Sequence, residues 1–170
     1  FVAHSKEDDA KWLHETGKAI LKDLNSAYIG KIVIPALNNQ SQKSKLLEQD
    51  IRKACVDFLE NKVQNKPEPP QNWTRDYPEE MMADKRYSVE VSTIRPFLEN
   101  AYEFVFMYRK RQADRDKMQE LIEKYELDLN TATVRKGSPY ILQLTKNQAS
   151  YLRAMEIWEE ERGFLKEVRK

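Results

Sequence analysis

The side chains that most often bind metals or transfer protons are few and scattered in this sequence. The two histidines, His4 and His14, both lie near the amino terminus. Neither has a glutamate three residues before it, which is the spacing that places a Glu–His pair on one helix face in di-iron proteins. We therefore expect solvated or internally hydrogen-bonded histidines, and we predict no metal site.

Motifs for nucleophilic or phosphate chemistry are also missing. The four glycines are far apart, so they cannot form a glycine-rich phosphate-binding loop. The acidic runs Glu79-Glu80 and Glu159-Glu160-Glu161 are typical of solvated helix faces. The single Cys55 cannot form an internal disulfide or a thiolate zinc cluster, and its apolar neighbours predict a buried side chain. We therefore predict a protein that is not an enzyme, with no catalytic residue and no cofactor; an enzyme would need a site built from scattered residues.

One basic segment could bind nucleic acid. Arg109-Lys110-Arg111 is followed by Arg115 and Lys117, and basic residues interleaved with aromatic rings can hold a phosphate backbone and stack on bases. Asp114 and Asp116 weaken the positive field of this segment. A solvated helix face, or one that docks on an acidic partner, is the competing interpretation and the one that we favour. The aromatic rings nearby are Tyr102, Phe106 and Tyr108.

A second basic pattern, Arg135-Lys136-Gly137-Ser138-Pro139, places a serine in a basic turn, as kinase sites do. Such short patterns often arise by chance. We therefore interpret residues 127–138 as a loop, with its strongest turn signal at Gly137-Ser138-Pro139.

The overall composition argues against several classes of protein. The 29 basic residues nearly balance the 28 acidic ones, so no global field would attract the chain to nucleic acid or to an anionic membrane. No apolar run approaches the roughly 20 residues that span a bilayer, so we expect membrane association only through partners. The chain begins at Phe1 and shows no signal-peptide core, which favours an intracellular protein that is processed or excised from a longer one.

Hydrophobic periodicity predicts a mainly α-helical fold in a single unit over residues 1–170, with roughly four to five helices. Residues 1–65 are predicted to form amino-terminal helices, and residues 66–93 an extended proline-rich connector and arm. Residues 94–127 are predicted to form one long charged helix of about 30 residues. Residues 128–170 are predicted to contain a loop and a carboxy-terminal helix, with at most a small hairpin.

Capping and turn residues set the boundaries of these elements. Helices are predicted to begin at Ser5, at about Ser44 and at Thr145, where a capping box starts. The segment Ile32–Pro35 is predicted to end a helix or to form a short extended link, because proline disfavours helix at the residue before it. Residues 86–92 alternate apolar and polar side chains, as a short strand or an extended arm does.

An aromatic-rich segment supports the main functional hypothesis. If residues 103–108 belong to the long helix, their apolar side chains surround it. A helix that is apolar on all sides must be buried on all sides, so we expect a partner protein to cover this segment. The alternative is that Trp12, Trp73 and Trp158 cover it within one monomer. The residues predicted to bind a partner are Trp73, Tyr77, Tyr102, Phe104, Phe106, Tyr108, Arg109 and Arg111.

Several short motifs follow one another along the chain in an order that can be compared with a known family. A proline-bearing turn leads to a tryptophan and a tyrosine, then come an extended arm, a Glu-aromatic-Val motif, and an Asp followed by Thr and Pro. These motifs are Pro67 to Trp73 with Tyr77, Asp84-Lys85-Arg86-Tyr87 with Val89, Glu103-Phe104-Val105, and Leu127-Asp128 with Thr131 and Pro139. The order resembles that of subunit d of the peripheral stalk of mitochondrial ATP synthase. The chain departs from that family at Asn72, where the family usually has Asp.

The resemblance implies a mechanical role. A peripheral-stalk subunit holds the catalytic head against the torque of the rotating ring, in contact with other subunits, on the matrix side of the mitochondrial inner membrane. We therefore expect a non-catalytic, helical structural or interaction subunit of a larger protein assembly, with the peripheral stalk of the proton-transporting ATP synthase as the assembly that the resemblance implies. A helical nucleic-acid-binding module is the alternative.

Overall fold

The fold is mixed α/β and contains a three-stranded sheet, so the prediction of a mainly helical protein with at most a small hairpin is wrong. The structure, a computed structural model, describes residues 24–38 and 45–170. The helix predicted to begin at Ser5 lies outside the described residues, as do His4, His14 and Trp12. The elements are α1 (consecutive segments Ser26–Tyr28, Ile29–Val33 and Ile34–Asn38), α2 (Lys45–Val63), α3 (Glu79–Ala83), a 3₁₀ turn (Lys85–Tyr87), α4 (Ser88–Glu99), β1 (Val105–Arg109), α5 (Gln112–Lys124), β2 (Leu129–Val134), β3 (Ile141–Lys146) and α6 (Ala149–Val168).

The chain divides into two compact units. The first contains Phe1–Pro67 with Ala154–Lys170, and the second contains Glu68–Arg153. The chain enters the second unit within residues 64–78, which form neither helix nor strand, and returns to the first within α6, after Arg153. Three closely spaced prolines explain this gap, because proline has no N–H for a helix or a ladder. Of the connector and arm predicted over residues 66–93, residues 66–78 lack helix and strand, whereas most of residues 79–93 are helical.

The first unit is helical in its described part. Its core joins apolar side chains of α1, α2 and α6, and Cys55 and Leu59 of α2 are fully buried there. Burial raises the pKa of the Cys55 thiol, because the thiolate would lose its hydration. The helix predicted from about Ser44 to Val63 matches α2, and the predicted burial of Cys55 is confirmed. The other core residues are Ile29, Val33, Leu165 and Val168.

The segment Ile32–Pro35 continues a helix, although the sequence predicts that it ends one or is extended. Residues Ile29–Val33 form a π turn, in which the N–H of Ile34 donates to the carbonyl of Ile29. This wide turn gives room to the Pro35 ring, and Pro35 has no N–H that the altered hydrogen-bond pattern could leave unpaired.

The second unit contains an antiparallel sheet with the strand order β1-β3-β2. Because β3 pairs antiparallel with both neighbours, β1 and β2 run parallel to each other and are joined by α5, which is a split β-α-β arrangement. Alternate strand residues, among them Tyr108, Leu142 and Leu144, are buried in one core. Helices α4 and α5 supply Val91, Ile94, Phe97, Leu98, Met118, Leu121 and Ile122 to the same core.

The long charged helix predicted over residues 94–127 does not form. Helix α4 ends at Glu99, and β1 comes before the shorter helix α5. Strand β1 contains Val, Phe and Tyr, which favour strands. Its side chains alternate between the two faces of the sheet, so Tyr108 is buried and Met107 is exposed. The spacing of these apolar residues also fits a helix, so the periodicity of the sequence predicted a helix where the structure has a strand.

The extended arm predicted over residues 86–92 is helical. The Asp84 carboxylate accepts a hydrogen bond from the N–H of Arg86 at 3.0 Å and caps the 3₁₀ turn that leads into α4. An aspartate at such a cap favours helix over an extended chain.

Two further boundaries differ from the prediction. Residues 129–134 of the predicted loop form β2, which is the second edge strand of the sheet. The last helix begins at Ala149, because Thr145 belongs to β3. The carboxylate of Asp128 accepts from the N–H of Ser150 at 2.8 Å and so caps the new helix start.

Candidate partner-binding site

Strand β1 lies at an edge of the sheet, and no strand in residues 24–38 or 45–170 pairs with its outer side. The N–H of Lys146 donates to the carbonyl of Phe104 at 3.0 Å, which fixes how β1 faces β3. In an antiparallel pair, every second residue of a strand directs both its N–H and its C=O towards the paired strand, and the residues between them direct both groups away from it. Phe104 and every second residue after it therefore face β3. The residues whose N–H and C=O point outwards are Val105, Met107 and Arg109.

Four apolar or aromatic side chains beside this edge are exposed to solvent. Tyr102 is 93% exposed and Met107 is 54% exposed, while Phe104 and Val105 are exposed to a lesser degree. Clustered apolar exposure of this kind marks an interaction surface more often than isolated exposed residues do. We call the outward backbone groups of β1, together with Tyr102, Phe104, Val105 and Met107, the β1 edge surface.

Tyr102 stands on a well-fixed turn. The side-chain oxygen of Asn100 accepts from the N–H of Tyr102 at 2.9 Å and from the N–H of Glu103 at 3.1 Å. The N–H of Trp73 donates to the carbonyl of Ala101 at 3.1 Å. An aromatic ring on a backbone that is already ordered loses little entropy on binding, and such rings dominate many interfaces.

Phe104 packs against Trp73, with ring centroids 4.4 Å apart and planes inclined by 51°. The guanidinium of Arg75 lies 5.2 Å from the Trp73 ring, and its Nε donates to the carbonyl of Asn147 at 2.6 Å. Arg75 is buried, and the acceptors of its hydrogen bonds in the described chain are backbone carbonyls. Its backbone hydrogen bonds tie the connector to the segment after β3, which steadies Trp73 and, through it, Phe104.

Lys146, the last residue of β3, is a second buried cation near this edge. Its ammonium group donates to the carbonyl of Asn100 at 2.7 Å and lies 4.4 Å from the Phe97 ring centroid. Burial, and then the charge of Arg75, lower the pKa of Lys146. The bond to Asn100 holds the turn that carries Tyr102.

The structure brings three of the predicted partner-binding residues together, namely Trp73, Tyr102 and Phe104. The Tyr77 ring instead packs against the core of the second unit, and its hydroxyl donates to the Glu99 carboxylate at 2.6 Å on α4. Phe106 is only half-buried, but its ring stacks on core residue Phe97 at 5.4 Å. Tyr108 is buried in the core, and Arg109 and Arg111 are exposed where β1 ends.

Residues 103–108 are therefore not an apolar helix that a partner must surround. One face of the strand is covered by its own unit, and the other face and the edge are open. Of the tryptophans that could have covered the segment, Trp73 contacts Phe104, whereas Trp158 donates to the carbonyl of Val63 at 3.0 Å in the first unit. Val105 and Met107 were missed as site residues in the sequence, because Val105 to Tyr108 is an uninterrupted apolar run that shows no alternation to mark the exposed positions.

A second cluster lies where β1 and β2 end. Arg109 and Val134 both pair with Ile141, so Lys110 and Arg135 follow at the same end of the sheet. Their neighbours Arg111 and Lys136 are also exposed there.

Buried Arg115 holds these two loops together. Its Nη1 donates to the carbonyl of Lys110 at 3.2 Å and to the carbonyl of Tyr140 at 2.9 Å. Arg115 is 4% exposed, so it supports the loops and is not the surface cation that the sequence predicts. Lys117 is exposed on α5.

A groove of about 450 Å³ runs along α4. In it Arg95 donates to the Glu99 carboxylate at 2.7 Å, and the pKa of Glu99 is lowered first by its hydrogen bond from Tyr77 and then by that from Arg95. The Ser92 hydroxyl donates to the carbonyl of Val89 at 2.9 Å. This hydroxyl therefore has a backbone acceptor and not a general base beside it. The groove is lined by Met82, Ser88, Val91, Ser92, Arg95, Pro96 and Glu99.

Within the described ranges, His, Cys, Asp and Glu side chains form no group of three or more that could hold a metal ion. The helices described in these ranges include none that is long and apolar enough to cross a bilayer. A scan against protein-family models and searches of curated proteins and of solved structures found no match to this chain.

Proposed function

We propose that this chain is a non-catalytic structural or interaction subunit of a larger protein assembly, and that it binds a partner by pairing β1 with an extended segment of that partner. The observation that carries the proposal is the β1 edge surface, which combines unpaired backbone groups with exposed apolar side chains. An added strand satisfies such backbone groups, while the neighbouring side chains select its sequence.

The partner segment should alternate apolar and polar side chains at strand spacing. On one face of the enlarged sheet, its apolar side chains would contact Val105 and Met107; on the other they would contact Phe104. An acidic residue of the partner segment, placed beside Arg109, could form an ion pair with the exposed Arg109 guanidinium. The occupant is thus an extended segment of a different protein, mainly apolar in its middle and acidic at one end.

Which assembly this is stays a prediction. The resemblance to peripheral-stalk subunit d suggests the mitochondrial ATP synthase and a location on the matrix side of the inner membrane. Two parts of that resemblance take another form in this chain, because Glu103-Phe104-Val105 leads into a strand and the helix that follows has 13 residues. Strand addition to β1 does not depend on the identity of the assembly.

A pair of proline variants tests the proposal. Met107→Pro removes an outward N–H of β1 without touching the β1–β3 ladder, and edge strands tolerate proline at such positions. Thr133→Pro is the matched control on the opposite edge. Thr133 lies opposite Leu142, and the N–H and C=O of Leu142 point towards β1. The N–H of Thr133 therefore points outwards as well. Both variants should keep the fold, as circular dichroism and thermal melting would show.

Tagged chains carrying either variant would be expressed in source cells and isolated under gentle conditions. We expect the assembly to remain with Thr133→Pro and to be lost or weakened at least tenfold with Met107→Pro. Equal recovery with both variants would contradict strand addition at β1. A purified chain that dimerises by itself through Met107 would also contradict the proposal, since the occupant would then be a second copy.

A further inference from the structure

We infer that the end of the sheet where β1 and β2 finish binds single-stranded nucleic acid through its phosphates. The exposed cations there come from two loops that are far apart in the sequence. They are Arg109, Lys110, Arg111, Arg135 and Lys136, and we call them the basic end. The proposal does not require strand addition to β1; the two surfaces share Arg109, which the test variant below leaves unchanged.

The strand order creates the basic end. Because β1 and β2 run parallel on either side of β3, both finish at the same end of the sheet. Neighbouring strands lie about 4.8 Å apart, so the loops after β1 and β2 start about 10 Å from each other. A polyanion that crosses the end of β3 can therefore contact both loops.

The charges of the basic end are almost unneutralised. Within the described chain, Arg111 is the one member with a carboxylate nearby, Asp114 at 3.5 Å, and the Arg111 side chain is still 87% exposed. The whole chain has a formal net charge of +1. Five cations at one end are thus a local concentration of charge, and a polyanion would be attracted to this end and not to the protein as a whole.

The two loops are fixed before any ligand binds. The buried guanidinium of Arg115 bonds to the carbonyl of Lys110 in one loop and to that of Tyr140 at the end of the other. Lys110, Arg111, Arg135 and Lys136 therefore project from an ordered base, which reduces the entropy lost when they contact phosphates.

The position of Tyr140 favours a nucleic acid over an acidic protein as the ligand of the basic end. Its side chain is 43% exposed, and one face of the ring is backed by the Arg115 guanidinium, 5.6 Å from the ring centroid. A tyrosine that is supported from behind by a guanidinium, in the loop that also carries Arg135 and Lys136, is suited to stack on an unpaired base, as in proteins that bind single strands. An acidic peptide would use the cations and would gain little from the ring.

The test measures fluorescence anisotropy of a labelled oligothymidylate of about 12 nucleotides, titrated with the full chain at several salt concentrations. With five phosphate contacts, the slope of log K against log salt should be about −3.5. The variant carries Lys110→Gln, Arg111→Gln, Arg135→Gln and Lys136→Gln. The control carries Lys53→Gln, Lys62→Gln, Lys117→Gln and Lys166→Gln, which removes the same charge from exposed positions elsewhere.

We expect the control to show the same salt slope as the parent chain. In the variant, the magnitude of the slope should fall by about 2.8, and the affinity at low salt should fall more than tenfold. Tyr140→Ser should weaken binding about fivefold or more at an unchanged slope. Equal binding by the variant and the control would overturn the proposal. So would a polyglutamate peptide that binds as tightly as the oligonucleotide and is insensitive to Tyr140→Ser, since the occupant would then be an acidic protein.

Discussion

The guanidinium of Arg115 donates a hydrogen bond to the backbone carbonyl of Tyr140 at 2.9 Å, across 25 residues of sequence. A second bond from the same nitrogen reaches the carbonyl of Lys110 at 3.2 Å. One buried cation thus joins the loop after β1 to the strand that separates β1 from β2. Arg115 is thus hydrogen-bonded to the loop after β1 and to the last residue before β3.

Replacing Arg115 should destabilise the second unit. In Arg115→Leu the carbonyls of Lys110 and Tyr140 lose a charged donor, and we expect the free energy of unfolding to fall by about 2–4 kcal/mol. Lys117→Gln, two residues further along α5 and exposed, should change it by less than about 0.5 kcal/mol. Urea unfolding followed by circular dichroism measures both. A loss for Arg115→Leu as small as that of the control would mean that Arg115 does not support the loops.

Asp84 should make the second unit sensitive to acid. The ammonium group of Lys124, then the N–H of Arg86 and the hydroxyl of Tyr125, lower the pKa of Asp84 from 3.8 to about 2. A folded-state pKa below the unfolded one means that the contribution is present above about pH 4 and is lost as the pH falls towards 2. Asp84→Asn should therefore flatten the fall in stability between pH 4 and pH 2.

The measurement is urea unfolding at pH 5, 4, 3 and 2, with Asp76→Asn as an exposed control. The control should follow the parent chain throughout. If Asp84→Asn loses stability between pH 4 and pH 2 as steeply as the parent, the proposed link between Asp84 and α5 is incorrect.

Gly30 and Gly163 should respond in opposite ways to the same substitution. A Cβ at Gly30 would overlap the ring of Phe164, whereas one at Gly163 would meet nothing within 4 Å. Gly30→Ala should therefore lower the free energy of unfolding by about 1–3 kcal/mol through overpacking. Gly163→Ala should raise it by about 0.5–1 kcal/mol, because alanine is the better residue in a helix. Thermal melting of the two variants compares them directly, and a stabilising Gly30→Ala would contradict the packing of α1 on α6.

Local signals in the sequence identified some elements and not others. The helix ending at Val63 has a clear apolar stripe and is followed by prolines, so both its type and its end could be predicted. β1 could not, because Val105 to Arg109 is short and its apolar residues fit either period. Asp84 as a cap shows the same difficulty, since the residues after it alternate like a strand but form a helix.

The candidate sites depend on contacts between distant parts of the chain, which no local pattern contains. Tyr102 and Phe104 could be proposed from their type alone. The exposure of Met107 depends on the pairing of β1 with β3, about 35 residues later in the sequence. In the same way, Lys110 and Arg135 are brought together only by strand order, and the burial of Arg115 follows from that packing.

Amide hydrogen exchange at Met107 tests the central proposal most directly, because this N–H points away from β3 and has no partner in the described chain. Phe106, whose N–H faces β3, provides the internal comparison. In the isolated chain we expect the Met107 amide to exchange at least 100-fold faster than that of Phe106, and in the purified assembly we expect both to be protected alike. A Met107 amide that remains fast in the assembly, or is already protected in the isolated chain, would contradict partner binding by strand addition to β1.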